Sequence, residues 1–292
     1  IYIGGGTNLY ALNPNSTQKW VFPTSGGAQA PVIGSDGTIY VNGGVLYAIN
    51  PAGTQKWTFT QGSSVEGPPV IAADGTIYLH CVNSLYAINP DGTQKWIYTY
   101  PGGAGGTVSG TSPVIATDWT IYVGSPKNDN LYAINPNGTQ KWAFAMDGNV
   151  DNGSPAIGGD GTIYVASRDG SGKLYAVNPN GTQKWVFAMG VGSGSPVIGS
   201  DGTIYVTSFH DGNHYDLRAI DPSGAQTWAF AAQGDLGTPA IAANGNIYVG
   251  DSHNLYTVNP AGAMYAQFAL YASVGKKASP TIGSDGTIYL IG

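Results

Sequence analysis

The stretch Phe209-His210-Asp211-Gly212-Asn213-His214-Tyr215-Asp216 is the densest run of reactive side chains in this 292-residue chain. Two imidazoles and two carboxylates are donor types that suit zinc or nickel. A short loop does not by itself bring such donors to one point, so no metal site is expected. The same residues joined by Arg168 fit a second chemistry. Tyr215 or a histidine would abstract a proton from an acidic polysaccharide while Arg168 neutralises the carboxylate, which is β-elimination. The plainer reading is a polar binding loop. On that reading Arg168, Asp169, His210, Asp211, His214 and Tyr215 are the expected ligand-binding residues, with no catalytic residue among them.

Other constellations are weaker. Cys81 follows His80 in the sequence, but neighbours on a strand point to opposite faces, which disfavours a thiolate–imidazole pair. Asp147 and Asp151 are two carboxylates of the kind glycoside hydrolysis uses, a property any two loop acids share. The Asp-x-Asp-x-Asp-Gly calcium loop is absent from the sequence. Asn15, Asn137 and Asn180 begin N-glycosylation patterns that the turn sequence generates as a by-product.

The elements that position these residues come from a repeat. The first half of the repeating unit starts at Leu9, Leu46, Leu85, Leu131, Leu174, Leu217 and Leu255, at steps of 37 to 46 residues. Periods of this size mark repeat architectures. Residues 31–59 show how one unit reads. PVIG is a short apolar run and Ser35-Asp36-Gly37 turns the chain; Thr38 to Val41 is β-branched and aromatic. Leu46 to Asn50 follows, Pro51-Ala52-Gly53 turns again, and Gln55 to Phe59 completes the unit. Asp-Gly and Pro-x-Gly between such runs are hairpin signals, because glycine tolerates the positive φ of tight turns. Each unit is therefore four antiparallel strands, A to D. Four short strands in about 42 residues, repeated seven times, predict an all-β, seven-bladed β-propeller of four-stranded blades. The whole chain, 1–292, reads as a single domain.

Six tryptophans, from Trp20 to Trp228, each lie eleven residues after a strand-C leucine. A residue fixed in nearly every copy is expected to pack between blades. The Lys of Gln-Lys-Trp is expected to be a solvated turn residue. Ile-Tyr of strand B occurs from Ile1-Tyr2 to Ile288-Tyr289, so the chain begins and ends at strand B. The ring is expected to close by pairing the N- and C-terminal strands, which removes free sheet edges.

LYAINPDGTQKW (residues 85–96), with SPVIGSDGTIYV (residues 195–206), resembles the PQQ-like β-propeller repeat found in quinoprotein alcohol dehydrogenases and in the outer-membrane assembly lipoprotein scaffold. The resemblance implies the fold and leaves the activity open. It would bring PQQ if the dehydrogenase features came with it, namely a vicinal disulfide, a calcium ion and a catalytic Asp. Cys81 is the single cysteine, so that disulfide cannot form, and no cofactor is expected.

The A–B and C–D turns are nearly constant between copies, whereas the B–C and D–A connections vary in length and chemistry. Loops on a rigid scaffold usually carry binding, so the variable end of the blades, which is net acidic, is the expected site. Net charge −6 and pI near 4.9 exclude a general nucleic-acid binder, and no apolar run is long enough to span a bilayer. The Gly/Asn/Thr-rich, Lys-poor composition points to a secreted, cell-surface or periplasmic bacterial protein. Three functions fit: a non-catalytic module binding a protein or glycan, a lyase-like polysaccharide enzyme centred on residues 207–216, or a recently amplified or engineered scaffold without a ligand.

Overall fold

The computed structural model describes residues 1–65, 67–102, 111–125, 128–147, 153–167, 172–190, 194–211, 214–270 and 279–290. Every regular element among them is a β-strand. Six sheets have four antiparallel strands in the order A-B-C-D. We number them as blades 1 to 6, with B strands at Ile39–Asn42, Ile77–Cys81, Ile121–Ser125, Ile163–Ser167, Ile204–Asp211 and Ile247–Gly250. Two partial sheets lie at the ends of the chain. Tyr2–Gly5, Asn8–Leu12 and Gln18–Pro23 form a B-C-D sheet, and Thr281–Ile282 with Ile288–Tyr289 form an A-B pair. The strand pairings of the described residues hold each piece together internally and include none between the two. The expected architecture of an all-β, seven-bladed propeller is thus the one observed. The strands fall into two compact units, Ile1–Ala143 and Phe144–Gly292.

The core lies between successive blades. Tyr40, Leu46 and Ala48 of blade 1 pack on Ile77, Leu79 and Cys81 of blade 2. The other face of blade 2, with Tyr78, Leu85 and Ala87, packs on Ile121, Val123 and Tyr132 of blade 3. In the second unit Tyr164 and Leu174 meet Ile204 and Val206, and Tyr205 and Leu217 meet Ile247 and Val249. Strands B and C are buried on both faces for this reason, which explains their lack of polar alternation.

The repeated tryptophan fastens one blade to the next. The indole N–H of Trp20, Trp57, Trp96, Trp185 and Trp228 donates to the carbonyl of Pro51, Pro90, Pro136, Pro222 and Pro260, at 2.8 to 3.0 Å. The same indoles lie on the turn glycines. A Cβ built on Gly53, Gly92, Gly138, Gly224 or Gly262 would stand 2.6–2.8 Å from the ring, and all five have φ between 85 and 94°. Glycine is needed there twice, for the left-handed backbone and for the space beneath the indole.

The lysines are not simply solvated, as the sequence suggested. Lys56, Lys95, Lys141 and Lys184 reach Asp36, Asp74, Asp118 and Asp160 of their own blade at 2.8 to 3.3 Å. Each also donates to the Thr that immediately precedes strand B. Strand D is thereby tied across its sheet to the A–B turn.

Candidate functional site

The strand-C tyrosines connect the constant scaffold to the variable end. The backbone N–H groups of Ser25, Gly62 and Asp147, each in a D–A connection, donate to the hydroxyls of Tyr47, Tyr86 and Tyr175 in the following blade, at 3.0 to 3.2 Å. Phe22, Phe59 and Phe144 meet those tyrosine rings edge-on at 5.5 to 5.8 Å. In blade 6 the hydroxyl of Tyr256 donates to Asp251, whose other oxygen accepts from the N–H groups of His253 and Asn254. Asp251 is thus a buried clasp for its own turn and not an exposed loop acid.

Blade 5 breaks this rule, since Arg218 stands where the other blades have Tyr. Its guanidinium donates to Ser208 Oγ on strand B at 2.9 Å, to Asp216 Oδ2 on strand C at 2.9 Å and to Gln226 Oε1 on strand D at 2.8 Å. Arg218 and Asp216 are both 8% exposed. A buried charge needs such a full set of partners to be tolerated. The network spans three strands and supports the longest B–C hairpin among the described residues. Strand B runs for eight residues, Ile204–Asp211, and strand C for seven, His214–Ile220. The segment read from sequence as a ten-residue loop, Thr207 to Asp216, is therefore mostly strand. Its residues are the cause: Thr207, Phe209 and Tyr215 favour extended backbone, and Phe209 faces Tyr215 in register with ring centroids 5.0 Å apart.

The expected binding residues divide accordingly. Arg168 and Asp169 lie outside the described residues, as does Asp151. His210, Asp211 and His214 belong to the hairpin strands, with Asp211 opposite His214 in register; their side chains lie outside what is described. Tyr215 is half-buried, and burial, with the Asp235 carboxylate adding to it, holds its phenol above the usual tyrosine range. That direction opposes service as a base. Asp216, counted in the metal donor set, is bound to Arg218. Among the described residues no three His, Cys, Asp or Glu side chains group so as to hold a metal ion. Asp147 pairs with Lys173 at 2.7 Å, linking the D–A connection to the start of strand C in the following blade.

His80 carries a signal the sequence did not give. It is fully buried, and its Nδ1 lies 3.0 Å from the Thr111 carbonyl oxygen and 3.1 Å from the Thr111 hydroxyl. Burial, opposed by the Thr111 carbonyl, pushes the imidazole down to about 4, so it is neutral near pH 7. Its ring meets Tyr100 edge-on at 5.7 Å. Cys81 packs with Leu79 and Val65 against blade 1, on the other face of the strand, so the two side chains are not a catalytic pair.

The geometry has counterparts among known proteins. A family model described as outer membrane protein assembly factor BamB matches residues 5–137 and again 127–291. No curated protein matches the sequence. BamB from Moraxella catarrhalis is similar in structure, with TM-score 0.79 and 17% identity over 99% of this chain and 87% of that one. Virginiamycin B lyase from Staphylococcus aureus gives TM-score 0.65 at 12% identity, over 90% of this chain and 91% of that one. The computationally designed Ika8 protein gives 0.76 at 8% identity, over 99% of this chain and 92% of that one. At these identities the solved structures share the fold.

Proposed function

Since the chain belongs to the outer membrane protein assembly factor BamB family, we propose that it is a non-catalytic protein-interaction propeller acting through the variable end of its blades. The observation that carries this reading is the blade 5 hairpin. Among the described residues it is the longest B–C pair, with strands of eight and seven residues, and it is supported by a buried charged network that no other blade repeats there. An extended hairpin carrying an aromatic pair and held by a buried ion pair is a suitable recognition element. Membership of that family supports a bacterial periplasmic or outer-membrane-associated setting. The acidic net charge of −6 supports protein or neutral partners over nucleic acid. The lyase reading has less support. The likeness to virginiamycin B lyase is one of fold, and the phenol of Tyr215 is held in its neutral form.

Site-specific photo-crosslinking in cells tests the proposal. A photoreactive residue at Tyr215 is expected to give a discrete protein adduct, and the same residue at Thr54, in a C–D turn, to give none. Adducts from Thr54 alone, or none from Tyr215, would overturn the reading. A glycan ligand at the same hairpin would appear as retention on a saccharide array, lost when Thr207–Asp216 is exchanged.

A further inference from the structure

Four blades tie strand D to the A–B turn with a lysine, and blade 5 keeps the acceptors of that tie without the lysine. Lys56, Lys95, Lys141 and Lys184 each place Nζ 2.8–3.3 Å from Oδ2 of the turn aspartate and 2.9–3.1 Å from the hydroxyl oxygen of the threonine two residues on. Thr227 holds the lysine position in blade 5. Its hydroxyl donates to the Ala219 carbonyl at 3.2 Å, and among the described residues no cation pairs with Asp201. Blade 6 has lost both halves of the tie, with Asn244 for the aspartate and Tyr265 for the lysine. Of the six four-stranded blades, blade 5 alone keeps the carboxylate and lacks the ammonium.

The Asp201 turn is built like the other four. The Thr203 amide and hydroxyl donate to Asp201 at 3.0 and 2.9 Å, the same distances as between Thr162 and Asp160 in blade 4. Gly202 and Gly161 close the two turns at φ of 85 and 81°. Thr38, Thr76, Thr120 and Thr162 are 1–2% exposed beneath their lysines, whereas Thr203 is only half-buried. Hydrogen bonds from Thr203, the backbone one first, hold the Asp201 carboxyl below the usual carboxylate range, so it carries its charge at neutral pH. A carboxylate and a hydroxyl oxygen thus stand open to solvent in the arrangement that holds an ammonium in four other blades.

The surroundings define what would use it. Asp201 lines a groove of about 390 Å³ between the A–B turns of blades 5 and 6, together with Ile198, Tyr205, Ile241, Ala242 and Pro260. Among the described residues it is the one charged side chain of that groove. The corresponding groove between blades 1 and 2 has Asp36 and Asp74 in its walls, and both already hold lysines. The blade 5 groove therefore joins an unbalanced negative charge to apolar walls, and its complement is an ammonium on an alkyl stem. Two oxygens converging on one point suit a compact ammonium better than the planar fork of a guanidinium. One carboxylate and one hydroxyl are too few ligands for a calcium ion. An exposed ion pair alone contributes little, so the stem and its flanking groups must cover the apolar walls, as a lysine within a polypeptide does.

We propose that the Asp201–Thr203 turn and the groove beside it bind a lysine side chain presented by a protein partner. The ammonium donates to Asp201 Oδ2 and Thr203 Oγ1, and the methylenes lie along the groove. The site is at the A–B end of blade 5, opposite the B–C hairpin, and stands independently of the interaction proposed there.

The test follows the Thr203 amide of the full chain by NMR during titration with acetyl-leucyl-lysyl-leucine amide at low salt. A saturable shift with Kd of about 10 mM or tighter is expected, weakened by added salt. Norleucine in place of the peptide's lysine should abolish it, and butylammonium should bind at least about threefold more weakly than the peptide. Thr227→Lys restores the residue of the other blades, keeps both acceptors and fills the position from within. It is expected to weaken peptide binding at least about tenfold, with the unfolding midpoint unchanged or raised. The Thr162 amide, beside the Asp160–Lys184 pair, should not move. No saturable shift at about 100 mM peptide, equal shifts at Thr162 and Thr203, binding unchanged in Thr227→Lys, or butylammonium binding as tightly as the peptide would each overturn the proposal.

Discussion

The two ends of a blade are built by different physics. At the constant end, the same short-range devices recur: a glycine turn, a Lys–Asp–Thr tie and an indole resting on the next turn. Each tie is exposed; Lys56 and Asp36 keep 40% and 57% of their side-chain surface. At the variable end of blade 5, one buried arginine holds three strands, an arrangement no other blade repeats among the described residues. Redundant, solvent-facing contacts define a blade that tolerates the loss of any one of them. A single buried network defines a projection that does not. A repeat protein can therefore specialise one hairpin without disturbing the interfaces that stack its blades.

Several substitutions break or sharpen this contrast. The largest effect is expected from Arg218→Ala, which leaves the Asp216 carboxylate buried without its partner. A loss of about 3–5 kcal/mol is expected from urea unfolding, and Arg218→Lys should recover only part of it because it lacks the fork. Trp57→Ala removes a half-buried ring and its bond to Pro90 and should cost about 3 kcal/mol. Gly92→Ala, beneath that ring, should cost about 2 kcal/mol through φ and crowding together. Equal costs at Trp57 and Trp185 would support interchangeable interfaces.

His80 gives a pH-dependent member of the series. Its folded value of about 4 lies below the unfolded value of 6.5, so the unfolded chain takes the proton first. Stability is full above pH 6.5 and is expected to fall by up to about 3 kcal/mol as pH drops towards 4. His80→Gln should flatten that slope in acid titrations of stability. Trp119→Gly should act in the opposite direction to the rest, adding about 1 kcal/mol by relieving the positive φ of 66° that this tryptophan holds in its A–B turn. The smallest effect belongs to Lys56→Met, at most about 0.5 kcal/mol and absent in high salt.

Architecture was legible because the repeat presents the same evidence many times. Eleven-residue spacing from leucine to tryptophan, Asp-Gly at one turn and Pro-x-Gly at the other leave few alternatives to a blade. The lysine ties were misread because pairing Lys56 with Asp36 needs strands B, C and D in register, and no local spacing shows that. The hairpin was misread for a related reason. Gly212, Asn213 and nearby charges look like loop, while the arginine that lets the strands continue lies beyond them at 218. His80 gave no signal because its partner Thr111 is 31 residues away. Arg218 and Trp119 were visible as departures from the repeat, but what each one touches was not.

The central claim is that the repeated residues carry the fold and the blade 5 hairpin is an addition to it. The direct test replaces Thr207–Asp216 with Gly250–Asn254 from blade 6 and restores the repeat with Arg218→Tyr. Thermal unfolding of this full-length variant should remain a cooperative transition with a midpoint within about 3 °C of the parent. A fall of about 10 °C or more, or loss of cooperativity, would show that the hairpin belongs to the fold and contradict the claim.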